Sequence, residues 1–494
     1  MDTMTTSSLF RIDPRDGVAT ALRDLAAGEQ AMGLVLREPV AKGHKVAIAP
    51  IRAGEPVLKF GFPIGRATRD IDPGEHVHVH NVATALEGSG TYGYVSQRDR
   101  TEAAGSACTF QGYVRADGRV GTRNEVWVLP TVGCVGRTAS RIAAAAAATA
   151  AGRIDGVHAF THPFGCSQLG DDLSGTRHIL AALAQHPNAG GVLIVGLGCE
   201  SNQLDALLAE VEPAARARIR TLIAQRSEDE IEEGVALVDE LIALAAQDRR
   251  QDVPLSKLVL GVKCGGSDGF SGLTANPLVG RMSDAVTEAG GTAILTEIPE
   301  IFGAEQLLMQ RAEREDVFHG IVDLVNGFKR YFTDHGEPVS ENPSPGNIAG
   351  GITTLEEKSL GAVQKAGHAT VTDVRYYGDR VRRTGLTLLE APGNDAVSST
   401  ALSAAGATVI LFTTGRGTPL GFPVPTIKIA SNSDLARRKS GWIDFDAGQV
   451  LDDGLDQTAG DLLAKIRAVA SGEETASERN GEREIAIWKR GVTL

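Results

Sequence analysis

The hydrophobic pattern changes character along the chain. Up to about residue 90 the apolar positions come in short runs broken by glycine. Lys45–Ala49, Pro56–Phe60 and Glu75–His80 read as strands, and Val18–Leu25 reads as the one helix, with Asp16 as its N-cap. This predicts a small β-rich domain over residues 1–90. Residues 91–111 are polar and poor in apolar side chains, which suits a linker. From residue 112 onward, continuous apolar runs such as Val126–Leu129 and Gly191–Val195 alternate with alanine-rich stretches at Thr138–Ala151 and Gly175–Ala184. Unbroken runs of that length fit strands buried on both faces, and their alternation with helices predicts parallel α/β layers. A polar break near Gln247–Pro254 separates a central domain, 112–250, from a C-terminal one, 251–494, where Leu258–Val262 and Ala407–Phe412 are further buried strands. The expected fold class is α/β, a β-rich domain followed by two Rossmann-like α/β regions.

What the strands end on adds chemistry. Cys134, Cys199 and Cys264 each close an apolar run, and Cys166 closes the shorter His162-Pro163-Phe164-Gly165, so four of the five cysteines stand at strand ends. Ligands of open parallel sheets bind beyond those ends. A thiol there, near a helix N-terminus, ionises more readily than a free one and can hold a soft or borderline metal. Any single one could be a small buried hydrophobe; four in similar turns favour a metal or cluster. No C-x-x-C pair exists, so a zinc ribbon or a thioredoxin motif is unsupported. The net charge of −13 over 494 residues argues against a nucleic-acid or membrane partner. No apolar run approaches the ~20 residues that span a bilayer. An odd number of thiols suggests a reducing cytoplasm without structural disulfides.

Other polar groups gather in patterns. His76, His78 and His80 alternate with valines, which on a strand would place all three on one face, and His44 lies in the same domain. Glu297 and Glu300 follow the strand Thr292–Leu295 and could act as base or ligand. Loops at Gly121–Asn124, Asn342–Asn347 and Gly393–Asp395 supply basic and amide groups that suit a polyol acid, although such loops are often only turns. Gly265-Gly266-Ser267-Asp268-Gly269 fits the hydrolase nucleophile elbow, but no oxyanion-type H-G-G-G segment accompanies it. Gly415–Gly421 imitates a dinucleotide loop with the wrong spacing, and no Walker loop exists.

Long runs of the chain together resemble the altronate/galactarate dehydratase family: Gly112–Asn124, Val195–Glu200, Lys263–Gly272, Asn342–Ser359 and Phe412–Pro419. The N-terminal piece, from Gly43-His44-Lys45 to His78-Val79-His80-Asn81, is similar to that family's SAF domain. Phe60 and Gly133 depart from the family pattern, where tyrosine and asparagine are expected. The resemblance implies a metal-dependent hydro-lyase that converts a sugar acid, first D-altronate, to 2-dehydro-3-deoxy-D-gluconate and water. Galactarate or another aldonate or aldarate is the next substrate, and a sulfolactate-type lyase follows. A non-catalytic sugar-acid-binding SAF protein is the reading from another class. The implied cofactor is Fe2+, with Mn2+ as a substitute, and a single iron or an iron–sulfur cluster both stay open. In this reading Cys134, Cys166, Cys199 and Cys264 surround the metal. His44, His78, His80, Lys263 and Glu297 carry the catalysis, and Arg123, Asn124, Ser267, Asp268, Asn347 and Arg416 hold the substrate. The partner is the small sugar acid, with a homodimer as a possible assembly.

Overall fold

The computed structural model describes residues 8–86, 88–95 and 108–494. Its N-terminal domain is built from small antiparallel sheets. One runs in the order Leu9–Phe10, Val18–Ala21, Lys45–Ala47, His76–Val77, and a second joins Pro56–Lys59, Phe62–Ala67 and Val82–Ala83. The helix expected at Val18–Leu25 is a strand instead. All four residues of Val18–Ala21 are buried, and pairing on both sides with Leu9–Phe10 and Lys45–Ala47 overrides a local pattern that fitted a helical turn equally well. Asp16 caps no helix; its carboxylate accepts the Gly61 and Asp13 amides and shapes a turn.

The central domain carries a four-stranded parallel sheet in the order Gly156–Ala159, Glu125–Pro130, Ala189–Gly196, Ile219–Ile223. Every residue of Glu125–Pro130 and Ala189–Gly196 is buried, as strands covered on both faces require. Helix Gly136–Ala150 turns Ala139, Ile142, Ala143, Ala146 and Ala150 inward at helical spacing and packs on this sheet beside helix Glu230–Ala245.

A seven-stranded sheet, parallel throughout, forms the C-terminal domain in the order Val371–Arg375, Gly385–Leu389, Thr292–Leu295, Val259–Cys264, Val409–Thr414, Thr426–Ala430, Phe445–Asp446. The chain builds outward from Val259–Cys264 in both directions. That makes the end of this strand the topological switch point, where a ligand crevice opens in such sheets. Part of the expected linker lies outside the described residues. Its last stretch belongs to the strand Thr109–Val114, which pairs with Gln251–Pro254 and so ties the start of the central domain to its end. One hydrophobic cluster runs from Val57 and Ile64 of the N-terminal domain through Leu260 and Phe412 of the C-terminal one. Among the described residues no helix is long and apolar enough to cross a membrane.

Candidate active site at the SAF junction

The turn Gly265–Gly272 leaves the switch-point strand and meets the N-terminal domain. The Gly269 amide donates to Gly350 O at 2.8 Å, and a Cβ on Gly269 would stand 1.9 Å from Gly43 O. Only glycine allows this backbone contact. Against it lies the short helix Pro345–Ala349, whose Asn347 caps it reciprocally with Ser344 and also donates to Ser267 O at 2.8 Å. Arg416 donates to Gly346 O at 2.9 Å, with the rest of its guanidinium without a partner among the described residues. The far side of this helix faces histidines. His78 Nε2 donates to Ile348 O at 3.0 Å, and His44 Nε2 reaches Ala349 O at 3.4 Å.

The histidines meet, but not as alternating residues of one strand. The ladder ends at Val77 and the chain turns at once, with the Asn81 and Val82 amides donating to His78 O. His44, His76 and His78 converge instead, with ring centroids 4.8 to 5.2 Å apart, while exposed His80 lies 5.5 Å from His76. The four rings, with Pro345, Ile348 and Ala349, line an open cavity of about 430 Å³. Burial lowers all three converging imidazoles, His76 to about 3 and His78 to about 4, so the rings are neutral near pH 7. Their hydrogen bonds assign tautomers. His78 Nδ1 accepts the Val79 amide, which leaves Nε2 as its donor. His44, donating through Nε2, can only accept at Nδ1, so His76 Nε2 donates to it across 3.0 Å. His76 Nδ1 is then a bare acceptor nitrogen at the head of a chain of imidazoles. The expected catalytic set passed over His76, although the alternation of histidines with valines had marked it.

Docking of the domain is fixed by a buried charge set. Glu357 accepts from Lys45 Nζ at 2.9 Å and Lys59 Nζ at 2.8 Å, all three side chains being almost fully buried. Burial pushes the Lys45 ammonium down to about 8. The same effect pushes Glu357 up, but the two ammonium groups outweigh it and hold the carboxyl well below its usual range. Neither lysine nor Glu357 was predicted from the sequence; a buried ion triad has no local spacing signature.

Behind the glycine turn sits a second buried set. Lys263 Nζ lies 3.0 Å from Glu297 and 2.7 Å from Asp395, and Lys358 lies 2.8 Å from Glu300. Cys264 Sγ is 2.8 Å from Lys365 Nζ and 3.4 Å from Glu300. Burial opposes charge on Lys263, but Glu297 and Asp395 hold it protonated, so this member of the expected catalytic set is a fixed cation. Burial pushes the Cys264 thiol up to about 12 despite Lys365. Cys264, Glu297 and Glu300 present ligand atoms within 4.8 Å of one another. Three ammonium groups already balance the carboxylates there, so the set is poorly suited to a divalent cation. Glu297 holds a left-handed backbone, φ +67°, a conformation costly for a non-glycine residue and common at functional sites.

The other expected residues divide. All five N–H groups of buried Arg123 are taken, by Glu478 and by the carbonyls of Thr122, Val469 and Glu473. Asn124 bonds to Ala245 O and to Arg115. Both join elements, and Arg123 has no donor left for a substrate, contrary to expectation; buried Asn124 is held between Ala245 and Arg115. The Asp268 carboxylate is likewise filled by Phe270, Ser271, Ser431 and Asn432 and organises the turn. Asn347 pins helix to turn, whereas buried Ser267 donates its hydroxyl to no described residue. Cys134, Cys166 and Cys199 stand apart from Cys264: they are exposed, on loops at the carboxyl ends of adjacent strands of the central sheet. The C-terminal tail links the two regions, since the Leu494 amide donates to Ser167 O while Arg490 lies 3.5 Å from Glu390 at the end of strand Gly385–Leu389.

Comparison with known proteins agrees with this arrangement. Three family models match in order: the altronate/galactarate dehydratase SAF domain over residues 7–85, the second domain of D-galactarate dehydratase/altronate hydrolase over 112–246, and the C-terminal domain of D-galactarate/altronate dehydratase over 255–493. An altronate dehydratase of Bacillus subtilis is 48% identical over 99% of this chain and 100% of its own length. Its counterpart from Escherichia coli is 49% identical over 98% and 99%. The galactarate dehydratase (L-threo-forming) of Escherichia coli is 32% identical over 98% and 97%. With full-length relatives at this identity, and all three parts matched in order, the chain belongs to the altronate/galactarate dehydratase family and is a sugar-acid hydro-lyase.

Proposed function

We propose that the enzyme dehydrates D-altronate to 2-dehydro-3-deoxy-D-gluconate, with iron as its metal and manganese as a substitute. The observation that carries the substrate is the 48 to 49% identity, end to end, with two altronate dehydratases, against 32% with the galactarate enzyme. In the reaction the C2 proton, acidified by the neighbouring carboxylate, is taken by a base. The C3–O bond breaks and the hydroxyl leaves as water after gaining a proton. The enol then tautomerises to the 2-keto acid.

The chain supplies groups for each part. His76 Nδ1 is the acceptor we assign to the C2 proton, and His44 behind it shares the charge through their hydrogen bond. A carboxylate seated in the cavity favours imidazolium, so substrate binding itself raises the basicity of His76. Arg416 does not line that cavity; it bonds to Gly346 O on the other side of the Pro345–Ala349 helix. The hydrogen bonds of the histidine rings leave a single bare nitrogen, which suits them to moving protons; His44, His76 and His78 also present ring nitrogens within 4.8 Å of one another, close enough to hold an ion. The thiols of Cys134, Cys166 and Cys199, exposed at the strand ends of the central sheet, are soft donors that would suit iron, and iron when bound would supply Lewis acidity.

The test is a panel of sugar acids offered to anaerobically purified enzyme, with 2-keto acid formation as readout. D-Altronate should exceed galactarate by at least tenfold in kcat/KM. Preference for galactarate would overturn the assignment.

A further inference from the structure

We propose that a cavity between the central and C-terminal domains, at the amino ends of the C-terminal strands, binds a small metabolite that carries phosphate groups. The cavity measures about 460 Å³ and lies between the turn 117–120 of the central domain and the loop 380–384 of the C-terminal one. From the sheet, Val259, Thr292 and Thr408 line it, at or just before the first residues of three neighbouring strands. The strand Val259–Cys264 runs from here toward the glycine turn, and its six residues at ~3.3 Å each set the cavity ~20 Å from the candidate active site.

Charge decides what the cavity takes. Arg119, Lys257, Arg380, Arg382 and Arg383 line it, against the carboxylates of Asp117 and Glu212. Both carboxylates are occupied, Asp117 by Arg119 at 2.6 Å and Glu212 by Arg380. The Lys257 and Arg382 side chains have no hydrogen-bond or ion-pair partner among the described residues, and Arg383 makes one long bond, 3.5 Å to Thr372 O. Three cations therefore stand unbalanced in one cavity of a chain whose net charge is −13. They also press on their neighbours: burial lowers the Arg380 guanidinium, and the charges of Arg119 and Arg382 lower it further, with Glu212 opposing them. The helix Asp395–Ala405 ends at the cavity and brings its negative pole, worth roughly half a charge. The Val381 amide already caps Ala405 O at 2.9 Å, and three full cations outweigh that pole.

An anion with one carboxylate, such as a sugar acid, leaves most of this charge unanswered. Phosphate groups answer it, because each carries up to two charges and its oxygens match the paired N–H groups of a guanidinium. The hydroxyls of Ser256 and Thr384 donate to no described residue and are further donors in the wall. The volume falls in the range, roughly 300–1,000 Å³, of sites that hold one small molecule. With walls from two domains, a bound anion ties the domains together.

The test is calorimetric titration of the full-length protein with D-fructose 1,6-bisphosphate at fixed ionic strength, with sodium sulfate as the comparison. The bisphosphate should bind one site per chain at least tenfold more tightly than sulfate, and should raise the melting temperature. Arg382→Gln and Lys257→Gln should each weaken it at least fivefold. Neither should change the melting temperature of the free protein or its turnover of sugar acid, since neither side chain bonds to the fold or lies near the candidate active site. Binding no tighter than that of sulfate, undiminished affinity in both variants, or inhibition competitive with sugar acid would each overturn the proposal. Those results would leave the dehydratase reading standing, because no residue of this cavity belongs to the histidine junction.

Discussion

His76 carries the sharpest claim at the scale of single residues, because its unbonded nitrogen follows from the partners of its neighbours. His76→Gln should lower the turnover number by ~10²–10⁴, the usual contribution of a positioned base, with little change in melting temperature. His80→Gln should stay near the parent rate, since that exposed ring touches the cluster only at its edge. Equal losses in the two variants would remove His76 from its role. The same imidazoles make stability depend on pH. Their folded values lie below the ordinary ~6.5, so the unfolded chain binds protons first as the solution is acidified. The contribution is fully present above about pH 6.5 and is lost as pH falls toward the folded values of about 4 and 3. Denaturant midpoints measured from pH 7.5 to 4 should fall over that window, less steeply in His76→Gln. Individual residues were partly legible in the sequence. Histidines spaced by two signalled chemistry, but the turn after Val77 and the arrival of His44 from another strand are tertiary events that no local spacing encodes.

Elements tell a different story for the arginine of the Gly121–Asn124 loop. Arg123 holds the strand Glu125–Pro130 to the C-terminal segment through Glu478 and the carbonyls of Val469 and Glu473, so it acts as a rivet. Arg123→Lys keeps the charge but loses the fork, and should cost ~2–4 kcal/mol in denaturant unfolding with KM unchanged. A tenfold rise in KM at parental stability would restore Arg123 to the substrate. Strands buried on both faces, such as Ala189–Gly196, could be read from their apolar runs because burial on both sides demands apolar residues throughout. Val18–Ala21 could not, since a four-residue stretch of valine, alanine and threonine suits strand and helix alike until its partners are known.

At the scale of the molecule, the SAF domain is part of the core rather than an appendage. Its hydrophobic residues share one cluster with the C-terminal domain, and Glu357 neutralises two of its buried lysines. Glu357→Gln strands two ammonium groups and should destabilise the protein by ~3–5 kcal/mol, read from chemical denaturation. A loss below ~1 kcal/mol would mean that water reaches the triad. The central claim is that this junction removes the C2 proton of D-altronate, with His76 as acceptor. Its most direct test is D-altronate deuterated at C2, followed by the appearance of 2-keto acid and the release of deuterium to water in the parent and His76→Gln enzymes. The account predicts 2-dehydro-3-deoxy-D-gluconate from the parent with its C2 deuterium lost to solvent, and both signals reduced by ~10²-fold or more in the variant. Release of deuterium at the parental rate by His76→Gln, or no keto acid from the parent, would contradict it.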